Sequence, residues 1–241
     1  MRPCPADVDN FRQALAPGEQ RVLLLGVTPE LSVLGKRLTA VDNSPRMLAN
    51  VWPGDSAGRR AILADWTDLP FAEGSFDAVI GDASLNAAPE QVDEVLQEVS
   101  RVLAPRGKVA IRLFCAPDEP ETLEAIAANV AGGWNGNFHA LKWRIAMSLA
   151  SSRPRASVPV REILEAFNAT FPDRDRLAAD TGWPAEDIST IDAYIAADHS
   201  LGFPTLSSLR RALERHFADI SLLPGVGYPL AERCPTVICS R

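Results

Sequence analysis

The 241-residue sequence contains no long apolar run and no excess of basic residues. Its longest strongly apolar run, 22–27, is far shorter than the roughly 20 residues that a membrane-spanning helix needs. Residues 1–11 lack the pattern of a secretory signal. Lys and Arg total 24 against 31 Asp and Glu, so the net charge of −7 offers no general basic footprint for nucleic acid. These absences predict a cytoplasmic protein without membrane or nucleic-acid partners.

Cysteine and histidine are also scarce, with four and three residues in the whole chain. No two cysteines form a CxxC pair, and the histidines are not spaced around them as zinc ligands would be. We therefore expect free thiols and no metal site. The 46% of hydrophobic residues is ordinary for a globular protein with a real core.

Strand-like and helix-like segments alternate through the first half of the chain. The runs predicted as strands are 21–27, 39–42, 61–65, 76–82 and 108–114. Apolar spacing and capping residues predict helices at 29–38, 44–51, 89–103 and 121–131, after a short leading helix with Val8, Phe11 and Leu15 on one face. This alternation predicts a doubly wound, mostly parallel α/β sheet. Two late apolar runs, 220–223 and 236–239, predict a hairpin at the sheet edge.

Residues 134–204 have a different character, with helical pieces at 138–150, 158–171 and 186–198 and little strand character. We predict an α/β domain made of residues 1–133 and 205–241, and a helical insertion at 134–204 that covers the open end of the sheet as a lid. A further helix is expected at 205–217.

Carboxylates follow several of the predicted strands. Ligands of open α/β sheets bind outside the carboxyl ends of the strands, where the strand order reverses. Asp42, Asp65 and Asp82 occupy such ends, and Gly26 follows the first strand. One carboxylate can accept from ribose hydroxyls and another from an adenine amino group. Each acid taken alone is equally compatible with a helix cap or a turn.

Four strings of residues, in order, resemble one enzyme family. They are Val22–Glu30 (VLLLGVTPE), Leu38–Leu48 (LTAVDNSPRML), Asp65–Phe71 (DWTDLPF) with the following GSFD, and Val95–Lys108, which ends in a Pro-x-Gly turn. Over about 21–117 the chain is similar to class I S-adenosylmethionine-dependent methyltransferases. The terminal segment 219–240 is similar to their reversed last strand.

The resemblance implies a Rossmann-like, seven-stranded sheet with a reversed C-terminal strand. It implies S-adenosylmethionine as cofactor, S-adenosylhomocysteine as product and a small-molecule acceptor. Asp42 would bind ribose, and Asp65 and Trp66 would flank adenine. The cofactor-binding residues that the resemblance implies are Gly26, Val27, Thr28, Glu30, Asp42, Asn43, Ser44, Met47, Asp65, Trp66 and Asp82.

The first loop departs from the family pattern. Leu24 stands in the place of an acid, and only Gly26 remains of three alternating glycines, with Thr28 and Glu30 in place of the others. Glycine lets the backbone adopt positive φ and approach a ligand closely. Glu30 could answer the ammonium of the methionine moiety, or it could be a helix-start carboxylate that the helix dipole favours.

The sequence also contains candidate catalytic and acceptor-binding residues. Asp82 is the best-placed general base for an acceptor that must lose a proton, although it could instead cap the backbone or position the cofactor. His139, Trp143 and Arg144 belong to an aromatic and basic cluster that could line an acceptor pocket. The alternative is a helix that packs Trp143 on the core and exposes its basic residues.

Two other functions remain open at this stage. The eroded glycine loop is compatible with a degenerate relative that acts as a binding or interaction module without catalysis. A nicotinamide-dinucleotide oxidoreductase would share the acid after the second strand, but residues 26–31 lack the G-x-G-x-x-G pattern that binds pyrophosphate. No feature of the sequence indicates an oligomeric state or the atom that is methylated.

Overall fold

The first strand, β1 (Arg21–Leu25), has four buried residues out of five and lies inside the sheet, with a strand on each side. The computed structural model describes residues 1–15 and 20–241. Its other strands are β2 (Arg37–Asp42), β3 (Arg59–Leu63), β4 (Phe76–Asp82), β5 (Leu103–Arg112), β6 (Ser157–Pro159), β7 (Ser200–Gly202), β8 (Asp219–Leu223) and β9 (Thr236–Ser240). The α-helices are α1 (Pro5–Ala14), α2 (Pro45–Asn50), α3 (Ser84–Ala87), α4 (Val92–Val102), α5 (Leu123–Ala131), α6 (Phe138–Ala150), α7 (Val160–Thr170), α8 (Arg174–Thr181), α9 (Ala185–Ser189) and α10 (Leu206–Leu213).

The main sheet has seven strands in the order β3-β2-β1-β4-β5-β9-β8. β1 to β5 pair in parallel, and β9 pairs antiparallel with both β5 and β8. The predicted seven-stranded, mostly parallel sheet with a reversed C-terminal strand is therefore confirmed, and so is the terminal hairpin. The chain runs outward from β1 to β3 and then returns to β4, which places the reversal of strand order between β1 and β4.

The sheet is covered on both faces, because alternate side chains of a strand point to opposite sides. Leu23 and Leu25 of β1 contribute to a cluster with α4 and α10. Val22 and Leu24 contribute to a second cluster with α1 and the segment that follows β1. Within the described residues, no helix combines the length and the apolar character that crossing a membrane requires.

The predicted helix at 29–38 is wrong. The connection from β1 to β2 consists of tight turns, such as the bond from Leu34 N to Leu31 O at 3.0 Å, and β2 already begins at Arg37. Ser32 donates its hydroxyl to Pro29 O, which competes with helical bonding. Gly35 has a φ of +108°, outside the helical region. Leu31 and Leu34 are nevertheless buried in the core. The apolar spacing therefore predicted their burial correctly but not the backbone conformation.

The segment 134–204 is mostly helical, but its predicted details needed three corrections. α6 coincides with the expected helix, whereas α8 was missed and the expected helix at 186–198 is only α9 followed by a 3-10 turn. β6 and β7 pair antiparallel, so the expectation of little strand character was incomplete. The terminal helix α10 is also shorter than the 205–217 that was expected. α5 shares one apolar cluster with α6 and α7, so this helical cluster extends N-terminally beyond the segment 134–204.

A buried arginine joins the sheet to the N-terminal segment. Arg112, the last residue of β5, donates from Nε to Asp82 at 2.6 Å and from Nη1 to Asp7 at 2.8 Å. Its Nη2 donates to the carbonyl oxygen of Met1 at 3.0 Å, and the Tyr228 hydroxyl donates to Asp7 at 3.0 Å. Burial lowers the pKa of Arg112, but the carboxylates of Asp82 and Asp7 outweigh burial, so its pKa is raised overall.

We expect Asp7→Ala to lower the free energy of unfolding by about 3 kcal/mol or more, because it leaves part of a buried charge uncompensated. Asp7 and Arg112 are both fully buried. The matched control is Asp9→Ala on the same helix, whose pair with Arg12 is exposed and whose loss should cost less than about 1 kcal/mol. Urea unfolding of both variants measures the difference, and equal losses would contradict this account of the buried pair.

Candidate functional site

A pocket of about 290 Å³ lies at the carboxyl ends of β1, β2 and β4, where the strand order reverses. This is the position at which open α/β sheets bind ligands. Its volume is near the lower end of the roughly 300–1,000 Å³ typical of small-molecule sites. The residues that line it are Arg2, Leu25, Gly26, Val27, Thr28, Pro29, Asp42, Met47, Val51, Trp66, Asp82, Ala83, Ser84 and Ala87. We call it the switch pocket.

Asp42 ends β2 with its carboxylate in the switch pocket. Its Oδ1 accepts from Ser44 N at 2.9 Å, which fixes the side chain at the start of α2. Ser44 in turn caps α2 by accepting from Met47 N. Burial raises the pKa of Asp42 above its usual range, and the bond from Ser44 N only partly offsets that rise. The carboxylate is held in one orientation and can accept a pair of neighbouring hydroxyls.

Gly26 and Trp66 form one end of the switch pocket beside Asp42. Trp66 donates its indole N–H to Val41 O at 2.7 Å, and Gly26 N donates to the same oxygen at 2.8 Å. Gly26 has a φ of +97°, and a Cβ there would lie 3.9 Å from Trp66 Cζ2 and 4.0 Å from Asp42 Oδ2. A side chain at this position would therefore occupy the space between the Trp66 ring and the Asp42 carboxylate. That cradle fits a nucleoside.

Asp82, at the end of β4, is the second carboxylate of the switch pocket. Its Oδ1 accepts from Arg112, so the group is engaged in the buried cluster. Burial raises the pKa of Asp82, and the Arg112 guanidinium opposes that rise. The contact favours a positioning role, which was the alternative to general base in the sequence analysis. The assignment of Asp82 as a base stays a prediction.

The turn after β4 adds two features to the pocket wall. Ala83 adopts a left-handed φ of +56°, a conformation that costs energy for a residue with a Cβ and that clusters at functional sites. The Ser84 hydroxyl is buried and has no hydrogen-bond partner among the described residues. Buried hydroxyls are nearly always paired. An unpaired one in the pocket wall is consistent with a ligand that completes it.

The structure places four other predicted cofactor residues beside the switch pocket, not in its lining. Ser44 serves as the cap of α2. Asp65 accepts from Thr67 N and its hydroxyl, which together with Asn43 lowers the pKa of Asp65. Glu30 Oε1 accepts from Arg2 at 3.3 Å, while its Oε2 is buried without a partner among the described residues. These four residues do not line the pocket, and their roles toward the cofactor stay predictions.

The three predicted acceptor residues lie on α6 and outside the switch pocket. Trp143 stacks on Phe114 with ring centroids 5.2 Å apart, so it packs on the core. Arg144 is buried and forms an ion pair with Glu121. His139 is half-buried, and burial with the nearby Lys142 lowers its pKa.

Sequence reasoning missed Arg2, a cation of the switch pocket, whereas Lys142 belongs to the aromatic and basic cluster that the sequence indicates on α6. Arg2 lines the switch pocket, although nothing in its local sequence marks it, because its position depends on how α1 docks on the sheet. Lys142 is buried, with its ammonium 5.1 Å from the centroid of the Tyr194 ring and 5.5 Å from that of Trp143. Burial lowers the pKa of Lys142. Within 1–15 and 20–241, no group of three or more His, Cys, Asp or Glu side chains forms a metal site.

A larger cavity of about 590 Å³ lies on the other side of α3. Ser84 and Ala87 of that helix face the switch pocket, and Leu85 faces the cavity. Its walls come from α4, α10 and the loop after β5, together with residues of the 134–204 segment. The side-chain amide of Asn86 fixes α3 by donating to Phe114 O at 2.8 Å and to Gly202 O at 2.5 Å. We call this space the α3 cavity.

Comparison with known proteins agrees with this geometry. A methyltransferase-domain family matches residues 26–111. A demethylmenaquinone methyltransferase of Corynebacterium urealyticum is 31% identical over 199 residues, which are 78% of this chain and 78% of that protein. Solved S-adenosylmethionine-dependent methyltransferases share the fold. The one from Methanosarcina mazei is 13% identical with a TM-score of 0.54 and 99% and 97% coverage of the two chains. The one from Mesorhizobium loti is 17% identical with a TM-score of 0.54 and 97% and 96% coverage. The chain therefore belongs to the class I S-adenosylmethionine-dependent methyltransferases, a family of enzymes.

Proposed function

We propose that this protein binds S-adenosylmethionine in the switch pocket and transfers its methyl group to an apolar small-molecule acceptor. The observation that carries the proposal is the cradle of Gly26, Asp42 and Trp66 at the reversal of strand order. Asp42 accepts from the ribose hydroxyls, and Trp66 supplies a flat apolar surface for adenine. When bound, the cofactor supplies a methyl group that the positive charge of its sulfonium already activates.

The protein's own contribution is orientation, because such a displacement depends on holding the reacting atoms close and in line. Asp42 is fixed by Ser44, and Asp82 is fixed by Arg112. Neither carboxylate has to reorganise when a cationic ligand arrives. The two acids also suit a cofactor whose sulfonium and ammonium are both positive.

The acceptor belongs, in this proposal, to the α3 cavity. Leu85, Val92, Phe203 and Leu209 give it an apolar surface, and charged residues that include Asp118 and Arg215 also line it. Only α3 separates it from the switch pocket. The relative named demethylmenaquinone methyltransferase supports an aromatic acceptor of the quinone class. The segment 134–204 provides part of the wall, which is consistent with the proposed lid or substrate region.

Calorimetric titration separates this proposal from the other two functions. We expect S-adenosylmethionine and S-adenosylhomocysteine to bind with dissociation constants on the order of micromolar, about −8 kcal/mol, and NAD to show no binding. Heat from NAD alone would favour the oxidoreductase. Binding of the first two without methyl transfer to any of demethylmenaquinone, a phenol and an amine would favour a non-catalytic binding module.

Asp42→Ala should weaken the binding of S-adenosylhomocysteine at least about tenfold, because a hydrogen bond to a charged group contributes about 1.5–3 kcal/mol. The control is Asp68→Ala, an exposed aspartate outside the pocket lining, and it should bind as the wild type does. The measurement is the dissociation constant at neutral pH. Unchanged affinity in Asp42→Ala would show that the ribose lies elsewhere.

Ala212→Trp tests the acceptor cavity, because Ala212 lies on α10 and lines it. The added ring should fill the cavity and raise the KM for demethylmenaquinone by about tenfold, which corresponds to about 1.4 kcal/mol of lost binding. The dissociation constant of S-adenosylmethionine should not change. Arg211→Trp, at the exposed neighbouring position, is the control. Identical KM values in both variants would place the acceptor outside the α3 cavity.

A further inference from the structure

Among the fourteen described residues that line the switch pocket, Arg2 of the N-terminal segment is the one cation. The pocket's ionisable residues are Asp42, Asp82 and Arg2. Two carboxylates suit the positive groups of the proposed cofactor, but they repel the carboxylate of its methionine moiety. A ligand that carries both signs of charge needs a donor of positive charge as well. Arg2 is the residue of the pocket that supplies it.

We propose that Arg2 binds the carboxylate of the methionine moiety. The inference rests on the proposed function and deepens it by assigning a cofactor-positioning residue outside the family's strand-end motifs. The guanidinium is planar and presents several N–H donors in a fork that matches a carboxylate. Among the described residues, its contact is the bond from Nη1 to Glu30 Oε1, at 3.3 Å. Its remaining donors are available to a ligand.

The backbone on both sides of Arg2 is held in place. Before it, the Met1 carbonyl oxygen accepts from Arg112 Nη2 at 3.0 Å. After it, Pro3 is buried, and a proline restricts the preceding residue to extended conformations. Cys4 N then donates to Asp7 Oδ2 at 3.0 Å at the start of α1. The backbone at Arg2 therefore has little freedom, whereas its side chain is 62% exposed.

Glu30 has a new role in this arrangement. The sequence is compatible with either an ammonium partner or a helix-start carboxylate at Glu30, but the connection from β1 to β2 contains no helix. Its carboxylate instead faces Arg2 and is itself only 30% exposed. The contact of 3.3 Å uses Nη1 of the guanidinium and leaves its Nε and Nη2 for a ligand. The N-terminal segment and the shortened first connection thus meet over the methionine end of the pocket.

The test compares S-adenosylhomocysteine with its decarboxylated analogue, which keeps the adenosine and the amine but lacks the carboxylate. For the wild-type protein we expect the parent ligand to bind about tenfold or more tightly, the range for one charge-assisted hydrogen bond. Arg2→Ala should bring that preference close to one by weakening the parent ligand alone. Arg2→Lys should retain part of it, and Arg12→Ala, which removes another exposed arginine of the N-terminal segment, should retain all of it.

Three outcomes would overturn the inference or its premise, and they are distinguishable. Equal weakening of both ligands in Arg2→Ala would show that Arg2 acts through the shape of the N-terminal segment and does not contact the carboxylate. Equal affinity of both ligands for the wild type would show that the carboxylate is not recognised. No binding of either ligand to the wild type would remove the proposed function itself. Thermal unfolding of Arg2→Ala at the wild-type midpoint confirms that a changed preference does not reflect misfolding.

Discussion

The Arg112 guanidinium is the contact on which the switch pocket and the N-terminal segment both depend. It is buried at the end of β5, between the carboxylates of Asp82 and Asp7. A buried ion pair is weak support for net stability, because desolvation offsets much of the attraction, but removing one partner leaves a costly unpaired charge. The cluster therefore contributes more to the relative positions of β4, β5 and α1 than to the free energy of folding. It holds one pocket acid in place and sets the start of the chain beside it.

The parallel strands and the residues at their carboxyl ends were predictable from the sequence because apolar runs and the acids that follow them are local signals. β4 coincides with the predicted strand, since a run such as Phe76–Asp82 is buried on both faces and ends in an acid. Asp42 and Trp66 both line the switch pocket because the carboxyl ends of parallel strands share one edge. The hairpin of β8 and β9 followed from two short apolar runs separated by a loop.

Other features depended on contacts between distant residues, which local patterns do not encode. The leucines after β1 have helical spacing, but the connection is short and Gly35 takes a positive φ, so turns replace the helix. Arg144 looks like a pocket cation in sequence and is buried against Glu121, 23 residues away. Arg2 looks like an ordinary exposed terminus, and its place at the pocket depends on Arg112, more than a hundred residues later. Whether an arginine lines a pocket or pairs with a carboxylate in the core therefore depends on its tertiary contacts.

The loop after β1 keeps one of three family glycines, and no helix lies between β1 and β2. These two features are connected. Gly26 is the position where a Cβ would point between Trp66 and Asp42, and its positive φ favours glycine there. Thr28 and Pro29 instead begin a turn, where side chains are tolerated, so this connection presents no helix N-terminus to the switch pocket. A helix end would have offered N–H donors and a positive dipole to an anionic group. In the proposed binding mode, Arg2 supplies the positive charge that such a helix end would otherwise contribute.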